Sequence, residues 1–228
     1  MKLVNNRYTF KMDFQTTNNY LLVVENAKEY RRVCLELFDE FNGKPNSEFV
    51  LSKDANIMQI SKEMLLFCDY FSLDINNKKI TNEINSRVCG YLQTYDFVEK
   101  LCQINKLILE INDDVLDNFN FKITYDEEFG VDKLLKVSNY RISESNDFLE
   151  RILAYIKIYS SLKPIKLVTF LGLAQFLTKE EISLLAKDIE YLGLAVLLVE
   201  RSDCKLDNFQ KILIDDDLCE IYWKIKKI

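Results

Sequence analysis

The stretch from Pro164 to Glu200, PIKLVTFLGLAQFLTKEEISLLAKDIEYLGLAVLLVE, limits the fold more than any other part of the chain. Its two apolar runs, PIKLVTFL and GLAVLLVER, are short, rich in branched side chains and bounded by Gly172 and Gly193, which predicts two buried strands. Between them LTKEEISLLAKDIEYL has helical spacing. Thr178 precedes it with Glu181 three residues on, the pattern of a capping box. Strand, helix and strand in this order form a β-α-β unit, which makes the strands parallel and the crossover right-handed.

The amino-terminal part repeats the theme. Residues 1–14 alternate loosely and predict a strand or hairpin. Tyr20 to Val24 is a second β-rich run, and AKEYRRVCLELFDEF places Tyr30, Val33, Cys34, Leu37 and Phe41 on one helical face. Asn42, Gly43 and Pro45 end that helix. SEFVLSK predicts another strand, and NIMQISKEMLLFCDYFSLD a helix. From residue 76 to about 115 the pattern is helical, as two long helices or as one bent near Gly90, with Thr81 in the first turn or at its cap. FNFKITYDE alternates like a short strand. GVDKLLKVSNYRI restarts a helix and ends extended. SESNDFLERILAYIKIYSSL predicts a helix capped by Ser143 or Ser145. NFQKILIDDDLCEIYW adds an extended segment and a short helix or turn. The simplest assembly is an α/β head from residues 1–58 and 155–228, with an all-helical domain from 59–154 between its halves.

An α/β chain of this kind invites comparison with nucleotide-binding enzymes, which set a glycine-rich phosphate loop where a strand meets a helix. Neither junction has one. VVENAKEYRR contains no glycine and turns Glu25 toward the helix start, and the second junction holds only Gly172. No nucleotide is expected. The chain also lacks histidine, which excludes a serine or cysteine nucleophile served by histidine. Six cysteines, at 34, 68, 89, 102, 204 and 219, form no Cys-x-x-Cys pair and read as free buried thiols of a reducing compartment. No basic start leads into an apolar run, and no stretch reaches the roughly 18 apolar residues of a membrane span, so a cytoplasmic protein without a membrane partner is expected.

The formal net charge is −6, with the acidic excess in the middle of the chain. That is not the global field of a typical DNA-binding domain, so any contact with nucleic acid needs a local patch. Basic residues occur in small groups: Arg31 with Arg32, Lys78 with Lys79, Lys133 with Lys136 and Tyr140 a turn beyond, Lys163 with Lys166, and Lys224, Lys226 and Lys227 in the tail. Acids cluster as Asp113, Asp114 and Asp117, as Asp126, Glu127, Glu128 and Asp132, and as Asp215, Asp216 and Asp217. Hard cations such as calcium bind oxygen donors of this kind, although none of these runs has the spacing of an EF-hand loop. The same acids, Asp113, Asp114, Asp126 and Glu127, are also the candidates for a metal-dependent nuclease.

Three segments together carry a resemblance: NYLLVVENAKEYRRVCLELFDEF, EMLLFCDYFSLDINNKKITNEINSRV and KPIKLVTFLGLAQFLTKEEISLLAKDIEYLGLAVLLVE. They resemble the type II-A-specific CRISPR-associated adaptation proteins, the ring-forming Csn family, over roughly residues 20–223. The resemblance implies a head similar to a P-loop nucleotide hydrolase without its phosphate loop, and a helical leg. It implies a non-enzymatic homotetrameric ring that threads double-stranded DNA from free ends during spacer acquisition, beside the CRISPR integrase pair and the RNA-guided effector nuclease. It also implies calcium: Asp126 and Glu127 match the family's acidic pair and Asp117 an upstream acid, while Asn120, Lys122 and Thr124 replace the acids that alternate between them. Lys78, Lys79, Lys133, Lys136 and Lys163 are the candidates for the DNA-facing surface. A protein-interaction scaffold with little DNA affinity is the alternative from another class.

Overall fold

A computed structural model describes residues 1–44, 48–54, 56–125, 129–143 and 145–223, so Pro45, Asp126, Glu127, Glu128, Lys224, Lys226 and Lys227 lie outside the described residues. The protein is a mixed α/β chain. It forms two compact units, Met1–Leu73 with Ser145–Ile228, and Asp74–Glu144. The boundaries expected at 58/59 and 154/155 both fall inside the first unit.

The first unit is organised by a six-stranded sheet. Its strands are β3 (Asn19–Val24), β6 (Met64–Phe67), β7 (Leu167–Leu171), β8 (Ala195–Glu200), β9 (Gln210–Ile214) and β10 (Glu220–Trp223), in the order β10-β9-β3-β8-β7-β6. All neighbouring pairs are parallel except β10, which runs antiparallel on β9. Every residue of β3, β6 and β8 is buried. Strands covered on both faces read as continuous apolar runs rather than alternating ones. Alternate side chains feed two cores. Leu21, Val23, Val196 and Leu198 face one, with residues of α6 (Phe148–Leu162) and α7 (Lys179–Tyr191). Tyr20, Leu22, Leu197 and Val199 face the other. There Val33 and Leu37 of α1 (Ala27–Phe41) pack with Leu3, Met12, Phe49 and Leu51. The last four belong to an antiparallel sheet of order β2-β1-β4-β5, made of β1 (Lys2–Asn5), β2 (Lys11–Asp13), β4 (Phe49–Lys53) and β5 (Asn56–Met58).

Several local expectations change. The helix expected over NIMQISKEMLLFCDYFSLD is β5, one turn α2 (Ile60–Glu63), and then β6. Met64–Phe67 pairs in register with Leu167–Phe170. Four consecutive apolar residues fit a buried strand as well as a helix face, and the free edge of β7 decides between them. Asp147, not Ser143 or Ser145, caps α6: its side chain accepts from Glu150 N at 2.8 Å, while Ser145 Oγ accepts from Asp147 N at 3.1 Å. The capping box of α7 forms as expected, with Thr178 Oγ1 accepting from Glu181 N and Glu181 Oε2 accepting from Thr178 N. Thr178→Ala is therefore expected to cost about 1 kcal/mol, read as a lower urea midpoint with an unchanged slope.

The second unit contains α3 (Lys78–Leu92), α4 (Tyr95–Leu116) and α5 (Val131–Ser138). The long helical pattern breaks at Gln93 and Thr94 rather than bending at Gly90. Asn77 is the cap of α3, its side chain accepting from Lys79 N and Ile80 N, and Thr81 joins the first turn. The strand expected at FNFKITYDE does not form among the described residues: Phe119 and Phe121 are exposed and no strand pairs with the segment. Alternation without a partner edge does not make a strand.

Candidate functional site

The sheet order makes a crevice the first place to look. β3 has β8 on one side and β9 on the other, so the winding reverses around it, and ligands of such sheets bind at the carboxyl ends of the strands where that happens. Here the chain's own side chains occupy the backbone donors at both strand-to-helix junctions. After β3, Asn26 Oδ1 accepts from Lys28 N at 3.0 Å and Glu29 N at 3.2 Å. Arg32, one turn into α1, is paired with Glu29 and Glu36 rather than free for a phosphate. After β7, Gly172 takes the left-handed conformation (φ +71°), and a Cβ there would meet Gln175 at 3.0 Å and the Tyr30 hydroxyl at 3.3 Å. The chain then enters a 3-10 turn, Leu173–Gln175. Glu200, the last residue of β8, reaches this turn and accepts from Ala174 N at 2.9 Å, near the Leu173 backbone.

Glu200 is 3% exposed. Burial pushes its carboxyl up to about 7, with the backbone N–H groups beside it pulling the other way. Around it stand Tyr30 and Cys34 of α1, Tyr70, and Cys204. Burial, with the Glu200 charge adding to it, raises the Tyr30 and Tyr70 hydroxyls, and raises the Cys34 and Cys204 thiols to about 11. Sequence reasoning missed Glu200. Its signal was a single acid closing the apolar run AVLLVE.

The lysines expected at a DNA surface divide between the units. Lys163 follows α6 in the first unit, with its Nζ 5.1 Å from the Tyr159 ring centre and 3.3 Å from its hydroxyl. Lys78 and Lys79 sit exposed in the first turn of α3, Lys133 is half-buried in α5, and Lys136 is exposed in the last turn of α5. Lys136 lines a cleft of about 680 Å³ with Asp74, Asn76, Thr81, Asn85, Tyr140 and Arg141 among its walls. Two features build it. Asn139, left-handed at φ 44°, ends α5 and turns the chain back. Asn76 then pairs with the backbone of Ile142, accepting from its N at 2.8 Å and donating to its O at 3.1 Å, in the manner of a strand partner. Tyr140 thus stands beside Lys136 although it lies beyond the helix. Arg141 carried no distinguishing signal in the sequence.

Of the expected metal ligands, Asp117 caps the carboxyl end of α4, while Asp126 and Glu127 lie outside the described residues. Asp113 accepts from the Tyr125 hydroxyl at 3.3 Å. Among the described residues no three potential ligands converge. Asp117 offers hard carboxylate oxygens at a helix carboxyl end, where negative charge is locally unfavourable, a donor of the kind that suits a hard cation. The same helix leaves Phe97, Ile104, Leu107, Ile111 and Val115 exposed, a stripe at helical spacing.

Fold and site together define a parallel α/β sheet protein whose strand-to-helix junctions are closed by its own side chains. The model of the CRISPR-associated protein family Cas_Csn2 matches residues 40–218, and the chain belongs to that family. No curated protein matches it. Among the described residues, no helix is long and apolar enough to cross a membrane.

Proposed function

We propose that this CRISPR-associated protein is a non-enzymatic, sequence-independent binder of double-stranded DNA ends that works as a homotetrameric ring in spacer acquisition. The observation that supports the reading is family membership joined to the closed junctions: the mostly parallel sheet reverses its winding around β3, and Asn26 and Glu200 engage backbone donors at the junctions there. In this reading the first unit is a P-loop-hydrolase-like head and the second its helical leg. The exposed stripe on α4 buries against neighbouring subunits. Lys78, Lys79, Lys133, Lys136 and Lys163 face one enclosed channel, so a net-acidic chain still holds a duplex. Calcium, when bound, would be held by Asp117 with Asp126 and Glu127, and supplies positive charge at the end of α4. The integrase pair and the effector nuclease are the partners, in the cytoplasm.

The test compares linear with covalently closed circular duplex in a gel shift at low salt, with calcium and then with chelator. Binding to linear DNA alone is expected, with affinity falling by about 0.9 in log K per phosphate contact as log salt rises. Equal binding to both forms refutes encirclement. No binding to either selects the interaction-scaffold reading, which the charge of −6 favours. Cleavage stimulated by magnesium or manganese selects a nuclease.

A further inference from the structure

We infer that the cleft between α3 and α5 is a nucleotide site that holds a terminal phosphate between Lys136 and Arg141. The cleft is of ligand size, about 680 Å³. Its two cations are both exposed, and among the described residues neither has an acid partner. The one acid in the wall, Asp74, has its Oδ1 engaged by Asn76 N at 2.8 Å. The Asn76–Ile142 pair fixes the segment bearing Arg141 against the start of α3, so the two cations are presented by a built wall and not by a loose loop.

The chemistry of the lining selects the ligand. A phosphomonoester has a second ionisation near 6 and carries close to two negative charges at neutral pH, against one for a phosphodiester. Lys136 and Arg141 outweigh the charge of Asp74 and leave the wall net positive, and a guanidinium grips two phosphate oxygens at once. Thr81, Asn85 and Asn139 add neutral donors and acceptors suited to a sugar or a base edge, and Tyr140 adds an aromatic ring. A phosphorylated nucleoside satisfies all of these groups, and a carboxylate or an inorganic anion leaves most of the wall unused. Two sources supply it: a free nucleotide, or the 5′-phosphorylated end of a DNA strand. Only the second rests on the DNA-end reading above.

The experiment uses the full chain and two sets of probes. Calorimetry with dAMP, deoxyadenosine and inorganic phosphate tests the free ligand. Anisotropy with one linear duplex, 5′-phosphorylated or bearing 5′-hydroxyls, tests the end. Lys136→Gln, Arg141→Gln and the double variant are measured beside wild type, with thermal melts to show that these exposed positions leave the fold intact. Binding of dAMP at least tenfold tighter than deoxyadenosine, lost by about tenfold in each single variant, assigns the site to free nucleotide. A preference for the phosphorylated duplex, abolished in the double variant, assigns it to the DNA end. Equal binding of phosphorylated and unphosphorylated probes in both sets overturns the inference, as does a preference that survives the double variant. If linear duplex binds over circular but neither probe set discriminates the phosphate, only this inference fails. If dAMP binds and no duplex does, only the DNA-end reading fails.

Discussion

Phe170→Ala is expected to destabilise the first unit by about 3–5 kcal/mol, the range for removing a large buried ring from a packed core. Phe170 lies in β7 and is fully buried, stacked on Phe67 of β6 at 4.9 Å between ring centres. Phe67 in turn meets Tyr155 of α6 edge-on at 5.7 Å. The ring pair therefore joins the parallel sheet to the helix layer over it. Truncation leaves a cavity between rigid strands, which cannot close as a loop can. Since a domain's whole stability is commonly about 5–15 kcal/mol, such a loss is large enough to leave a substantial unfolded population. Phe170→Leu, which keeps most of the volume, should cost much less. Urea denaturation of the three proteins decides the matter: a midpoint for Phe170→Ala equal to that of wild type would show that this ring does not organise the core.

The same strands show what the sequence could reveal. β3, β7 and β8 are apolar runs with turn residues at their ends, and the capping box at Thr178 marks where the helix between β7 and β8 starts. Each of those signals is local, and each was readable. Met64–Phe67 was not, because its strand character comes from pairing with β7, about a hundred residues on. The reverse holds at FNFKITYDE, where alternation is present and no partner edge is found among the described residues. Periodicity reports which side chains want burial, and only the fold says what buries them.

The site was harder to read for the same reason. The absence of a phosphate loop was plain from composition, since no glycine lies near β3 and only Gly172 near β7. What stands in its place was not. Glu200 approaches the Leu173–Gln175 turn from a neighbouring strand, a contact made across 26 residues of chain. Lys136 and Arg141 were separated by a helix end whose left-handed Asn139 could not be foreseen, and the Asn76–Ile142 pair spans 66 residues. Charge counts found the lysines but not the wall that presents them.

Glu200→Gln is expected to remove a pH dependence that wild type carries on its own account. In the folded protein this carboxyl binds its proton more tightly than in the unfolded chain, about 7 against 4.5, because burial disfavours its charge. Its contribution to stability is therefore fully present below about 4.5 and is lost as pH rises through about 7. Over that window the change amounts to about 3 kcal/mol, taking about 1.4 kcal/mol per pH unit. Tyr30, Cys34, Tyr70 and Cys204, which surround it, are neutral at these pH values. Gln keeps an acceptor for the Ala174 N–H and carries no charge to bury. Other acids leave this window flat: Glu29, held low by its hydrogen bond with Arg32, and Asp69, held low by Ser72, lose their contributions only as pH falls below about 4.5 and 3.8. The difference between wild type and variant cancels them. Urea midpoints at pH 5, 6, 7 and 8 should show the variant gaining on wild type as pH rises, and holding its advantage beyond about 7. Parallel curves for the two proteins would mean that Glu200 is solvated in the folded state and that the turn after β7 is open to other anions.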